Sequence, residues 1–355
     1  MWRPCHTITA VAAFMWGLGS AGAATGQNPG NAVVDVEVQA SGTETLLIGI
    51  DAANESVVWA GGVGGEWLRT VDGGETWRGG VVPGTDSLQF RDVHAVDAET
   101  AYLLSIGTGS DSRVYRTDDG GETWALLFEN DDPEGFYDCF DFWSPQRGVL
   151  IGDEVGLKMS MQRTRNGRDW ERIPPGRLPA AQEGEGSFAA SGTCLTTGAE
   201  GRAWAVASNP EHARLLHTTD YGSTWSVDTL PVTTRAGVGP QTVAIATSDR
   251  WAVLTGGYDS EEGDTGFVLS HDGGATWEVR PRPPFAEGVW GAAWVPAAEP
   301  SVLVAVGPDG IAVTNDAGEE WTQVDDANYW TLTFGSDRVG WAAGRDGRIV
   351  RLVVR

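Results

Sequence analysis

Short runs in which apolar and polar residues alternate recur along nearly the whole chain, each closed by Gly, Asp, Asn or Pro. A period of two is that of half-buried β-strands, and few stretches hold a helical period. The runs come in threes, each set followed by one fixed turn motif. In the first set they cover residues 46–50, 57–61 and 67–70, and in the second 90–96, 101–106 and 113–117. The fifth set covers 242–247, 251–256 and 267–270, and a further run follows each motif, as at 77–82. Four antiparallel strands in succession make one propeller blade.

The motif reads Ser/Thr-x-Asp-x-Gly-x-x-Trp. It joins Asp72 to Trp77, Asp119 to Trp124, Asp220 to Trp225, Asp272 to Trp277 and Asp316 to Trp321, and a version one residue short has Asn166 and Trp170. The copies stand about fifty residues apart, the period of blade-sized units. Hydroxyl and carboxylate groups ahead of a Gly can hold a hairpin turn through backbone N–H groups, while Gly supplies the positive φ and Trp covers the turn. These residues therefore read as structural fasteners, and no catalytic residue is assigned among them.

Six motifs mark six units, with approximate limits 46–87, 88–135, 136–187, 188–237, 238–286 and 287–327. Residues 328–355 offer three more runs, at 329–334, 339–343 and 349–353, so one strand is missing. The alternating segment 33–38, within residues 31–40, belongs to no unit. The expected architecture is an all-β, seven-bladed propeller over residues 31–355, its last blade completed by that N-terminal strand. Such closure removes the open edges that invite aggregation.

Composition agrees with this picture. Gly (49) and Trp (17) are abundant, as tight turns and strand-rich packing require. A chain of 355 residues exceeds one ordinary core, but repeated units escape that limit. Ahead of the blades, Arg3 precedes an apolar run at 8–18 and small residues at 21–23. That is the pattern of a signal peptide, residues 1–23, and predicts a periplasmic or secreted protein without a transmembrane anchor. The formal charge of −25 argues against nucleic acid as a partner. Export permits a disulfide. Cys139 and Cys194 hold equivalent inner-strand positions in adjacent blades, and both a bridge and a pair of buried free thiols remain open.

The turn motif is that of the Asp-box, or bacterial neuraminidase, repeat. A longer block is clearest where Trp330-Thr-Leu-Thr-Phe334 is followed by Val339-Gly-Trp-Ala-Ala-Gly344 and Gly347-Arg-Ile-Val-Arg351. It resembles the photosystem II stability/assembly-factor family of seven-bladed propellers. Segments 90–97, 136–143 and 185–193 are similar to that family's exported bacterial branch. The resemblance implies a protein-binding scaffold that serves the assembly or stability of an envelope or membrane complex.

The same motif occurs in sialidases, so the alternative is a secreted glycoside hydrolase acting on glycans at the channel mouth. Its Arg-Ile-Pro signature would precede the first motif, whereas Arg172-Ile-Pro174 follows the third and reads as the end of an outer strand. No nucleophile elbow and no dinucleotide fingerprint occurs, and no cofactor is implied. His212 and His217 read as a solvated pair, and the acidic loop 258–266 as a hairpin tip, so no metal site is assigned. Inner strands begin, and second strands end, at the face opposite the motif turns. Loops there are expected to gather Arg91, Asp92, His94, Asp138, Asp153, Glu185, Tyr258, Asp259 and Arg345 around the channel, as a candidate site for a protein partner, a glycan or a small ligand.

Overall fold

The alternating runs pair in the computed structural model into seven four-stranded antiparallel sheets. The structure describes residues 34–257, 264–298 and 301–355, so the expected signal peptide, Val33, Tyr258 and Asp259 lie outside the described residues. In the first six blades the strands pair in chain order, the first blade being Leu47–Ala52, Val58–Gly62, Glu66–Thr70 and Arg78–Val81. No helix among the described residues is long and apolar enough to cross a membrane.

The seventh blade is completed from the other end of the chain. Val34–Gln39 lies antiparallel to Ile349–Val354, with Val34 opposite Val354 and Gln39 opposite Ile349. Its last residue also reaches the first blade. The Gln39 amide donates to Gly73 O (2.9 Å) and its oxygen accepts from Trp77 Nε1 (3.2 Å). Closure thus uses a full strand ladder and a side-chain tie to the next turn.

Burial follows from blades covering one another on both faces. The second strands are buried almost throughout, as in Ala203–Ser208, whereas outer strands such as Arg78–Val81 are exposed. Large aromatic residues fill the wedges between blades, with Trp124 of the second blade edge-on to Trp59 of the first and Trp321 of the sixth against Phe267 of the fifth. Trp59 and Trp341 are fully buried.

The turns behave as the residue types demand. Thr70 Oγ1 donates to Asp72 Oδ1 (2.7 Å) and accepts from Gly74 N (2.9 Å). Asp72 then accepts from Thr76 N (2.9 Å) and Thr76 Oγ1 (2.6 Å). The same set recurs around Asp119, Asp220 and Asp272, and in reduced form around Asp316. In the shortened copy Asn166 Oδ1 takes the amides of Arg168 and Asp169 instead. Gly74 has φ +90°, and a side chain there would collide with Gln39.

Five of the seven inner strands carry a β-bulge near their start, at Ile48, Arg91, Asp138, Gln241 and Trp330. A bulge leaves one residue without a partner and bends the strand. Residues at this level pack across blade boundaries: Ile48, Trp290 and Trp330, of the consecutive first, sixth and seventh blades, form one buried cluster.

Candidate binding site on the channel axis

The channel is crossed by the chain itself. Residues 189–193, which lead into the fourth blade's short inner strand Leu195–Thr197, touch blades that are not neighbours of the fourth. Ala189 O accepts from Arg91 Nη1 of the second blade (2.9 Å), and Ser191 Oγ donates to Trp290 O of the sixth (2.7 Å). Thr331 Oγ1 of the seventh donates to Ser191 O (3.0 Å), and Ala190 packs against the Ile48, Trp290 and Trp330 cluster. Gly192, at φ +77°, lies so close to Asp92 that a Cβ would strike its carboxylate. Only a segment on the axis can meet blades one, two, six and seven together.

Above this segment lies a cavity of about 270 Å³, floored by Ser191, Gly192, Thr193 and Asp92. Its wall is two-sided. Asp51, His94, Asp141, Thr196 and Thr333 form a polar arc, and Val243, Ala244, Ala292, Ala293 and Leu332 an apolar one. The cup opens where the inner strands end, which is the motif-turn end and not the opposite mouth expected from sequence. Asp92 and His94 belong to this cup. His94 stands three residues beyond the bulge at Arg91, about 10 Å along the strand at the usual rise.

The carboxylates of the cup staple adjacent blades. Asp51 accepts from its own neighbour Ala52 N (2.9 Å) and from Ala95 N of the second blade (2.8 Å). Asp92 repeats this with Val93 N and Phe140 N (both 2.8 Å), and Asp141 with Phe142 N and Thr197 N (both 2.7 Å). Burial raises all three carboxyls, Asp51 to about 6, while the amides pull the other way. His94 stacks on Phe142 (4.6 Å between ring centres), with Nδ1 3.6 Å from Asp51 and 3.8 Å from Asp141. Desolvation lowers its pKa, against the pull of Asp141.

The opposite mouth holds some of the expected residues in other roles. Asp138 is buried, and its carboxyl is pushed well above the usual range by desolvation and by the neighbouring Asp153 carboxylate. Asp153 is itself raised to about 6, chiefly by burial, and accepts from Ser187 N (3.2 Å). Arg91 stacks over Trp330 (5.4 Å) as well as binding Ala189. Glu185 does not face the channel: it is a buried, two-pronged partner of Arg214 (2.6 and 2.7 Å). The cause is the long connection between blades three and four, which folds inward over Arg214. Arg345 is exposed on the turn after the strand Val339–Gly344. Cys139 and Cys194 are bonded as a disulfide with Cα atoms 6.1 Å apart, so adjacent inner strands do approach closely enough here. Arg172 closes the outer strand Trp170–Arg172, away from the axis.

Sequence reasoning missed Asp51, Asp141, Thr333 and the crossing segment. One signal pointed to the last: the interval between Asn166 and Asp220 is the widest in the motif series.

The fold places the chain among the seven-bladed β-propellers. No protein-family model matches it, and no curated protein is similar to it. Among solved structures, YCF48 from Cyanidioschyzon merolae is 15% identical over 90% of this chain and 98% of that one, with a TM-score of 0.66. YCF48 bound to D1 peptide is 16% identical over 93% and 98%, with a TM-score of 0.61. A streptogramin B lyase structure is 14% identical over 92% and 98%, with a TM-score of 0.63. The chain thus resembles the photosystem II assembly factor YCF48 in fold, and a lyase shares that fold equally well.

Proposed function

We propose that this chain is an exported, non-catalytic propeller scaffold that binds a protein partner and supports the assembly or stability of an envelope or membrane complex. The observation that carries this reading is the cup at the motif-turn mouth. Amides of adjoining blades already hold its carboxylates in fixed orientations, which presents a preformed acceptor surface to a donor group of an occupant. A blind cavity with one acidic arc and one apolar arc suits a peptide side chain with an apolar stem and a donor tip. The likeness to YCF48 bound to D1 peptide supports a peptide-binding use of this fold. Export rests on the pattern at residues 1–23.

Immobilised protein and its Asp51→Asn/Asp141→Asn variant, exposed to envelope extracts, test the reading. The native cup is expected to retain a reproducible partner that the variant retains at least tenfold less. Equal capture by both would remove the cup from the account. Turnover of a fluorogenic glycoside, abolished by one carboxylate substitution, would replace the scaffold with a hydrolase.

A further inference from the structure

Residues 189–193 are held at both ends and across the middle. At one end Gly186 exchanges backbone hydrogen bonds with Ser208 (3.0 and 2.8 Å), and Ser187 Oγ donates to Val206 O (2.8 Å). At the other end Cys194 is bonded to Cys139 of the third blade. Between these anchors the segment makes the contacts with Arg91, Trp290 and Thr331 already described. The inner strand that follows, Leu195–Thr197, has three residues and is the shortest inner strand of the seven. Beyond that short ladder the segment's exit is held by two backbone bonds, from Val206 N to Cys194 O (2.9 Å) and from Val243 N to Thr193 O (3.0 Å), and the disulfide adds the one covalent tie.

We propose that residues 189–193 form a strap which the Cys139–Cys194 bridge keeps across the channel, so that the thiol state decides whether the cup is blind or open through to the other mouth. This rests on the strap's geometry and not on the identity of any partner. Reduction needs a dithiol. One thiolate attacks a sulfur of the bridge to give a mixed disulfide. The second displaces that sulfur, leaving two cysteine thiols and one cyclic disulfide, with two electrons passed to the protein. Both sulfurs belong to fully buried residues of the core between blades three and four, so the attacking thiolate reaches them only when that core opens beside Cys194, where the strap ends. A strap in place keeps Cys194 seated in that core, and the bridge in turn retains the strap.

The coupling is read in both directions on the full chain. Gly192→Ala introduces a side chain at a positive φ and against Asp92, which displaces the strap with the bridge still present. With dithiothreitol under native conditions, followed by alkylation and mass measurement, this variant's bridge is expected to reduce at least tenfold faster than the native one. In the reverse direction, Val243 donates its N–H to Thr193 O (3.0 Å) and reports the strap's exit by hydrogen exchange. Exchange at Val243 is expected to accelerate at least tenfold in reduced protein and in Cys139→Ala/Cys194→Ala, while amides of Ile349–Val354 keep their protection. Equal reduction rates for the native and Gly192→Ala proteins would overturn the proposal. So would unchanged exchange at Val243, or an acceleration shared by Ile349–Val354, which would make the bridge a general stabiliser.

Discussion

Arg214 grips both oxygens of Glu185 where neither side chain reaches bulk water. Removing one partner of such a pair leaves the other charge buried and uncompensated, a cost of about 3–5 kcal/mol, whereas replacing both by apolar residues is often nearly neutral. Arg214→Ala is therefore expected to lower chemical-denaturation stability by about that amount, and Glu185→Leu/Arg214→Met by much less. Equal losses in the two variants would show that the pair's geometry matters less than its packing. Nothing in the sequence around Glu185 announces Arg214, which lies in the next blade's third strand. The turn residues are the opposite case: Thr70, Asp72, Gly74 and Thr76 find their partners within one hairpin. Local chemistry is legible from a sequence, and pairing across a long connection is not.

At the scale of elements, the strands were readable because each blade repeats one pattern of alternation and one turn. The bulged inner-strand positions were not. Ile48, Arg91, Asp138, Gln241 and Trp330 share no residue type, because the backbone bend sets their place and the neighbouring blades set their identity. For the same reason the candidate site was located at one mouth, while the cup lies at the other. The closing strand Val34–Gln39 was readable as an alternating segment without a blade. Deleting residues 34–39 uncovers the edge of Ile349–Val354 and removes the tie from Gln39 to Trp77. The melting temperature is expected to fall by on the order of 10 °C, with new oligomers in size-exclusion chromatography. A deletion protein that melts like the native one and stays monomeric would mean that the ring holds without its latch.

The whole molecule sets two kinds of carboxyl against each other. The turn aspartates are held low by hydrogen bonds from neighbouring hydroxyls and amides, Asp72 to about 2. Burial holds Asp51 and Asp153 high, each at about 6. A lowered carboxyl stabilises the fold above its unfolded value of 3.8 and loses that contribution as pH falls through about 2. A raised one stabilises it below 3.8 and loses that contribution as pH rises through about 6. The net charge of −25 pushes the same way at high pH. The melting temperature is thus expected to peak between about pH 4 and 5, with a decline toward pH 8 that is shallower in Asp51→Asn/Asp153→Asn. A melting curve that improves steadily toward pH 8 would contradict the buried placement of these groups.

Because Val34 stands opposite Val354, the two extremities of the propeller share one rung of a sheet, about 5 Å apart across the ladder. A few residues of flexible linker could splice them, turning a ring held by hydrogen bonds into one held by covalent bonds. New termini could then be cut at an exposed inter-blade connection such as 131–134. Such a circular permutant would keep every sheet contact of the parent, tie the first and last blades through the chain, and move the ring's opening to the boundary between the second and third blades.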